Sequence, residues 1–270
     1  MTELTVMTFN VKRNLFQFGR YAWSKRCHLV AQVIRTLQPD IIGTQELTQG
    51  PLGDLQRLLP EYDYLGVGRG GGGKGEYTAI FYRKERFNLM AQETFWLSRT
   101  PKHPSRDWTT PFPRICTWCE LVPKDAPERP IRIYNTHLDH LSYFARIHGL
   151  RLIRQEIFAR YQVAPGPVVL MGDFNASPTS KTLRKWTMEN LELHDPELEL
   201  LSSYNMLLRE APETPLGRSY HGFHGKVTGK PIDYIFTSKD VTLQEVKIQR
   251  EKVEDTFPSD HYPVVACIEY

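Results

Sequence analysis

Two mixed β-sheets packed face to face, with helices on their outer faces, are the fold class that this sequence predicts. Three observations predict it. Strand-like segments outnumber helical ones along the 270 residues. Neighbouring strands, 77–83 with 87–97 and 115–122 with 131–138, are joined by turns and not by the helices of a strictly alternating, doubly wound sheet. No Pro/Ser-rich linker and no short-period repeat divides the chain, so residues 1–270 are read as one domain.

Each element has its own signal. LTVMTFNV (4–11), DIIGTQEL (40–47), YTAIFYR (77–83), ICTWCELV (115–122) and IRIYNTHL (131–138) carry β-branched and aromatic residues in alternation or in short solid runs. VVLMGDF (168–174), IDYIFTS (232–238) and the terminal YPVVACIEY (262–270) do the same. Leu29, Val30, Val33, Ile34 and Leu37 form one helical face, and Leu150, Ile153, Ile157 and Phe158 a second. A third helix is read over Thr179–Asn190, with Ser177 as a possible N-cap and Pro178 in the first helical position.

Composition sets outer limits. Hydrophobic content of 40% supplies a sizeable core, and a net charge of +3 is far from the dense basic stripe of a dedicated DNA clamp. No apolar run reaches the length of a membrane span. The opening MTELTVMTFN has neither a basic leader nor a long apolar stretch, so a soluble cytoplasmic protein without a membrane partner is expected. Cys116 and Cys119 form a C-x2-C, but on a strand i and i+3 face opposite sides, and no second Cys/His pair stands at finger spacing. Reduced, mostly buried thiols are expected of all four cysteines. The run GVGRGGGGKGE (66–76) approaches a phosphate loop, but Gly75 stands where Ser or Thr is required and a strand follows instead of a helix, so a flexible surface loop is expected.

Strand after strand ends on a polar group. MGDFNASP (171–178) leaves a buried run and presents Asp173 and Asn175, which on extended backbone face one space while Phe174 turns into the core. Asn10, Glu46, His137 and Asp139 close other strands, and Asp233, Asp260 and His261 precede the last ones. Packed sheets bring such ends to one rim. Carboxylates and amides without a thiolate cluster suit a hard cation, Mg2+ or Mn2+. Histidines and arginines beside it suit a phosphoryl group, attacked by water and stabilised by positioning and charge neutralisation. A serine-nucleophile hydrolase is disfavoured because no G-x-S-x-G elbow is present.

The ordered set MTFNV, GTQE, GEYTAIFYRKERF, NTHLDH, MGDFNASP, IDYIF and SDHYPV resembles the endonuclease/exonuclease/phosphatase superfamily from residue 5 to 268. The resemblance implies a four-layered α/β sandwich with its site at one end of the paired sheets. It implies Glu46 as principal metal ligand, with Asn10 beside it and Asp260 nearby. It implies Asp173 as the group activating water, Asn175 as a phosphoryl-binding amide, and His261 as the phosphate-contacting histidine oriented by Asp233. His137 matches a second histidine, Glu76 a glutamate paired with it, and Arg114 a phosphate-contacting arginine. Mg2+ is the implied cofactor, with Mn2+ as substitute.

A nuclease-type phosphodiesterase acting on single-stranded nucleic acid is the expected function. The alternatives are a phosphatase of a small phosphorylated metabolite and a non-catalytic scaffold; no obligate protein partner is visible. The nucleic-acid reading leans on loop 12–26, where Lys12, Arg13, Arg20, Lys25 and Arg26 interleave with Phe16, Phe18, Tyr21 and Trp23. Trp108 and Phe112 in SRDWTTPFPR are further stacking or pocket residues, and His221 and His224 lie close to Asp233 in loop 202–231.

Overall fold

Near-continuous apolar runs become the central strands, because a strand covered on both faces has no solvent side to keep polar. The structure, a computed structural model, describes residues 2–14, 19–192, 201–202 and 217–270. The first sheet contains β1 (Glu3–Asn10), β2 (Ile41–Gln45), β3 (Tyr62–Leu65) and β4 (Ile80–Arg83). The second is built from β5 (Phe87–Trp96), β6 (Ile115–Pro123), β7 (Ile131–His137), β8 (Val168–Asp173), β9 (Leu201–Ser202) and β10 (Asp233–Thr237). The chain then returns to the first sheet with β11 (Thr242–Ile248) and β12 (Val264–Glu269). The orders are β11-β12-β1-β2-β4-β3 and β5-β6-β7-β8-β10-β9.

The topology decides where the site lies. In each sheet one parallel pair occupies the middle, β1 with β2 and β7 with β8, and the other pairings are antiparallel. A parallel pair needs a crossover. Helix α1 (Trp23–Leu37) supplies it in the first sheet and α3 (Tyr143–Val163) in the second. The carboxyl ends of β1, β2, β7 and β8 therefore gather at one rim. Antiparallel β10 brings its own beginning there, with Asp233 opposite Asp173 in register. Antiparallel β12 does the same for the segment just before it, which carries Asp260 and His261.

One core layer lies between the sheets, where Leu4, Val6, Ile133, Leu170 and Met171 are 0–1% exposed. A second lies beneath α1 and α2 (Gln49–Leu58), where Met7, Phe9, Ile42, Ile34 and Leu55 pack together. The sheets approach most tightly at Gly43, where an added Cβ would meet Met171 Sδ at 2.7 Å and Asn135 Oδ1 at 2.8 Å. Asn135 of the second sheet donates to the carbonyls of Thr44 and Ala79 in the first, each at 2.9 Å. Gln45 donates back to Asn135 Oδ1 at 2.8 Å. This buried polar lock, placed directly behind the rim, fixes one sheet against the other.

Several elements differ from the sequence reading. Helix α2 is hidden by Gly50, Pro51 and Gly53, yet Pro51 falls in the first turn, where it costs nothing, and Leu52 and Leu55 are buried. Edge strands β3 and β11 were likewise not expected, being short or half-exposed. Helix α4 (Lys181–Glu192) begins after Ser180, whose hydroxyl accepts from Leu183 N at 3.3 Å, so Ser177 and Pro178 stay in a turn. Phe158 sits one residue off the stripe of Leu150, Ile153 and Ile157 and is 42% exposed. All four cysteines are free, with Cys116 and Cys119 buried and Cys27 and Cys267 half-buried. Among the described residues no helix is long and apolar enough to cross a membrane.

Candidate active site

Asn10, at the end of β1, ties the two sheets together at the rim. Its Nδ2 donates to Glu46 Oε1 and to Asp173 Oδ2, both at 3.1 Å. Asp173 is further held by the backbone N–H of Asn175, which donates to Oδ1 at 2.9 Å. His137 Nε2 and His261 Nε2 stand 3.6 and 3.8 Å from Asp173 Oδ2. His261 turns its other nitrogen, Nδ1, to Asp233 Oδ2 at 2.9 Å. The side chains of Glu46, Asp173, His137 and His261 thus converge on one space, with Asn175 beside them. Phe174 is wholly buried on the opposite face, as alternation requires.

The same place carries backbone strain. Lys12, Glu46 and Asn175 have φ of 58°, 66° and 48°, in the left-handed region that a side chain other than Asn or Asp enters at a cost. Lys12 and Glu46 are held there by what they do. Glu46 Oε2 accepts from the backbone N–H of Arg13 at 2.9 Å, and Lys12 N–H donates to Asn10 Oδ1 at 3.1 Å.

Burial sets the charge states. It pushes Asp173 up, and repulsion from Asp233 adds to this; His261 and the donors Asn175 and Asn10 pull back, leaving a pKa of about 7. Burial opposes the charged form of His261, but Asp233, as charge and as hydrogen-bond partner, outweighs it and raises the imidazole to about 10. Burial and Arg114 drive His137 well below the ordinary histidine range, against the pull of Glu46, so it is neutral at pH 7. Burial also opposes ionisation of Glu46, yet the carboxyl is held at about 2 by His137 when protonated, by Lys12 and by the Arg13 N–H. At neutral pH, with His137 uncharged, Lys12, the Arg13 N–H and the His261 imidazolium carry that effect.

A hard divalent cation fits the donors at one edge of this space. Glu46 and Asp260 present carboxylate oxygens without sulfur, and the Asn10 amide holds Glu46 through its Nδ2. The chain's own cation shows that positive charge is favoured there: Lys12 Nζ rests 3.1 Å from Asp260 Oδ2 and 3.9 Å from Glu46 Oε2. Asp173, Asp233 and His261 also offer ligand atoms within 4.8 Å of one another. Nδ1 of that histidine is already engaged with Asp233, so this trio is built to hold a proton.

The remaining wall of the cavity comes from loops. The cavity has a volume of about 320 Å3, and Arg13, Arg69, Glu76, Phe112, Arg114 and His140 line it opposite the strand ends. Glu76 is not paired with His137 as the resemblance implied. Two guanidiniums hold it instead, Arg13 Nη1 at 2.8 Å and Arg69 Nη1 and Nη2 at 2.9 and 3.0 Å. Arg114 lines the cavity with its guanidinium braced by Asp139 Oδ2 at 3.3 Å and His140 Nδ1 at 2.9 Å. Arg69, which no motif or periodicity singles out, comes from the glycine run. That run is tied, with Gly68 N–H donating to Gly72 O at 2.7 Å, Arg69 N–H to Glu76 O at 2.8 Å and Gly70 N–H to Lys74 O at 2.8 Å. Gly68 has no room for a side chain, since a Cβ would lie 2.3 Å from Lys74 O.

Other expected contact residues are used inside the protein. Arg26 is fully buried and donates to the carbonyls of Tyr21, Val11, Pro258 and Lys12. Trp23 is buried with Nε1 on Asp54, Tyr21 stacks on Phe223 at 4.2 Å, and Trp108 stacks on His148 at 4.7 Å. His221 is buried against Tyr262 at 4.0 Å; neither it nor His224 lines the cavity. Phe16, Phe18 and residues 203–216 of loop 202–231 lie outside the described residues.

With this geometry in place, comparisons with known proteins become informative. A family model described as "Endonuclease/Exonuclease/phosphatase family" matches residues 7–261. Mouse Nocturnin is 25% identical over 263 residues, covering 89% of this chain but 56% of the relative, so the chain spans just over half of that protein's length. The solved mannosyl-6-phosphatase of Bacteroides thetaiotaomicron is 29% identical, with a TM-score of 0.87 over 99% of this chain and 100% of the other. An endonuclease/exonuclease/phosphatase protein of Bacteroides vulgatus is also 29% identical, with a TM-score of 0.85 over 100% and 99% of the two chains.

Proposed function

The chain belongs to the endonuclease/exonuclease/phosphatase family of phosphoester hydrolases, and from that premise we propose that it is a divalent-metal-dependent phosphomonoesterase of small phosphorylated molecules. The carrying observation is the loop wall. A cavity of about 320 Å3 faced by Arg13, Arg69, Phe112 and Arg114 suits a compact ligand ending in phosphate. Of the aromatic side chains on which the nuclease reading leaned, Tyr21, Trp23 and Trp108 are turned to other side chains. The likeness to a mannosyl-6-phosphatase over the whole chain favours the same choice. Four free cysteines favour a reducing, cytoplasmic setting.

In this reading Asp173, ionised, takes the proton of the attacking water. Asn10 and the Asn175 N–H fix its two oxygens, so the carboxylate needs no rearrangement as the proton arrives. His261, kept as imidazolium by Asp233, faces the charge that grows on the phosphoryl oxygens. His137, neutral, and Asn175 bind those oxygens without adding charge. Glu46, with Asp260 and Asn10, would hold Mg2+ or Mn2+, which when bound supplies Lewis-acid stabilisation of the phosphoryl group and departing oxygen.

The test is phosphate release from hexose 6-phosphates, nucleoside monophosphates, single-stranded RNA and single-stranded DNA, each with Mg2+, Mn2+ or EDTA. The expected result is turnover of phosphomonoesters with either metal, none with EDTA, and little change between low and moderate salt. Faster cleavage of an oligonucleotide, with the steep salt dependence of several phosphate contacts, would reinstate the nuclease.

A further inference from the structure

We propose that Arg69, Glu76 and Phe112 form a polyol-reading subsite, so that the substrate is a phosphorylated sugar whose ring lies on Phe112 and whose hydroxyls are read by the Arg69–Glu76 pair. The inference rests on the phosphomonoesterase reading and names its substrate class. Phe112 is 42% exposed although it lines the cavity, and the Arg69 guanidinium stacks over its ring with 4.9 Å to the centroid. The flat cation therefore joins an aromatic face, on which it lies, to a carboxylate that its N–H groups hold edge-on.

The charges of this wall are largely spent on one another. Glu76 takes Arg13 and Arg69, and Asp139 takes Arg114. A wall built for a second phosphate would leave its arginines without carboxylates. This one offers fixed donors and acceptors together: a guanidinium has five N–H groups, and Glu76 accepts from two of those on Arg69. Such a mixed, preorganised set matches neighbouring hydroxyls, each both donor and acceptor. A nucleobase asks for something else, namely sandwiching between aromatic or apolar faces, and among the described residues Phe112 and Tyr220 are the only Phe, Tyr or Trp side chains lining the cavity, with Tyr220 packed on the His261 ring at 5.0 Å.

The glycine run explains how the wall is held. Besides its internal hydrogen bonds, the Arg69 carbonyl accepts from Trp96 Nε1 at 2.7 Å, which anchors the loop to β5. Arg69 is presented on a scaffold and not on a wandering loop.

The experiment compares D-mannose 6-phosphate and D-glucose 6-phosphate with propyl phosphate, which has the same reacting group but no ring, in the wild type, Phe112→Ala and Arg69→Lys. Arg69→Lys keeps the charge and loses the flat fork. The expected result is a tenfold or larger rise in KM for the better hexose phosphate in both variants, against a rise of threefold or less for propyl phosphate. Equal losses on all three substrates, or no loss on any, would overturn the subsite, as would a nucleoside monophosphate that outcompetes both sugars and loses its advantage in Phe112→Ala. Calorimetric binding of the hexose phosphates and of inorganic phosphate, with Mg2+ in an Asp173→Asn background, reads the subsite independently of turnover. If the wild type hydrolyses no phosphomonoester, the catalytic reading falls. The subsite then stands only if Phe112→Ala weakens hexose phosphate binding while leaving inorganic phosphate unaffected.

Discussion

The strand-end side of the cavity and its loop side solve the same problem, holding charged groups still, by opposite means. On the strand side, Asn10, Asp173 and Asp233 sit at positions fixed by ladder register, and the buried Asn135–Gln45 lock behind them ties one sheet to the other. On the loop side, Arg69 and Arg114 come from connections and are held by ion pairs and by backbone hydrogen bonds within the loop. The difference teaches that the reacting groups are preorganised by the fold, whereas the specificity wall is preorganised by its own charges. Changes on the strand side should therefore strike turnover and stability, and changes on the loop side should strike selectivity.

The sharpest break is Asp173→Asn, which preserves shape but removes the base and leaves one of the two donors, Asn10 Nδ2 or the Asn175 N–H, without its acceptor. A loss of about 10²–10⁴-fold in kcat is expected. The pH profile of the wild type carries the same information. Asp173 must be ionised, so the rate should fall as pH drops through about 7; His261 must be protonated, so it should fall as pH rises through about 10. In Asp173→Asn the lower limb should vanish from the residual activity. A residual rate near wild type would remove Asp173 from the mechanism.

The contrast also governs what the sequence could disclose. Asn10, Glu46, Asp173, Asn175, Asp233 and His261 were legible because each ends or precedes a strand whose apolar pattern is strong, and topology then forces those ends together. Arg69 was not legible, because it sits in a run whose glycines read as freedom when they in fact serve close backbone approach, as at Gly68. The partners of Glu76 are loop residues 63 and 7 positions away, set by no periodicity. Arg26 was readable and misread: it lies one helical turn before Val30 and two before Val33, on the buried stripe of α1, and its place there marks it as a structural pin instead of a substrate cation.

A pair of glycine substitutions measures the two sides directly. In Gly43→Ala the new methyl would enter the sheet interface within 2.8 Å of Met171 and Asn135 side-chain atoms, disturbing the lock. Overpacking of this kind costs about 1–3 kcal/mol, to be read by urea denaturation, and turnover should fall with it as the rim shifts. In Gly72→Ala, on the loop side, nothing lies within 4 Å, and only the left-handed φ of 56° opposes the change. That substitution should cost about 1 kcal/mol and leave kcat unaltered. If both variants behave alike, the distinction between a sheet-held and a loop-held wall is unfounded.

The smallest effect separates support from chemistry at His221, which the sequence placed near Asp233 without deciding its role. Burial and the nearby His261 push this imidazole down to about 4, and its ring stacks on Tyr262. In the unfolded chain an ordinary histidine titrates near about 6.5. Between these values the unfolded state binds the proton and the native state does not, so stability rises with pH across the window. The contribution is complete above about 6.5 and is lost as pH falls toward about 4, on the order of 1 kcal/mol by about pH 5.5. His221→Phe keeps the ring against Tyr262 and removes the titration. Its melting temperature should therefore lose about 2–4 °C less than that of the wild type between pH 7 and 5.5, with kcat unchanged at pH 8. A variant that keeps the full acid sensitivity would show that other groups carry it, and one that loses turnover at pH 8 would return His221 to the reaction.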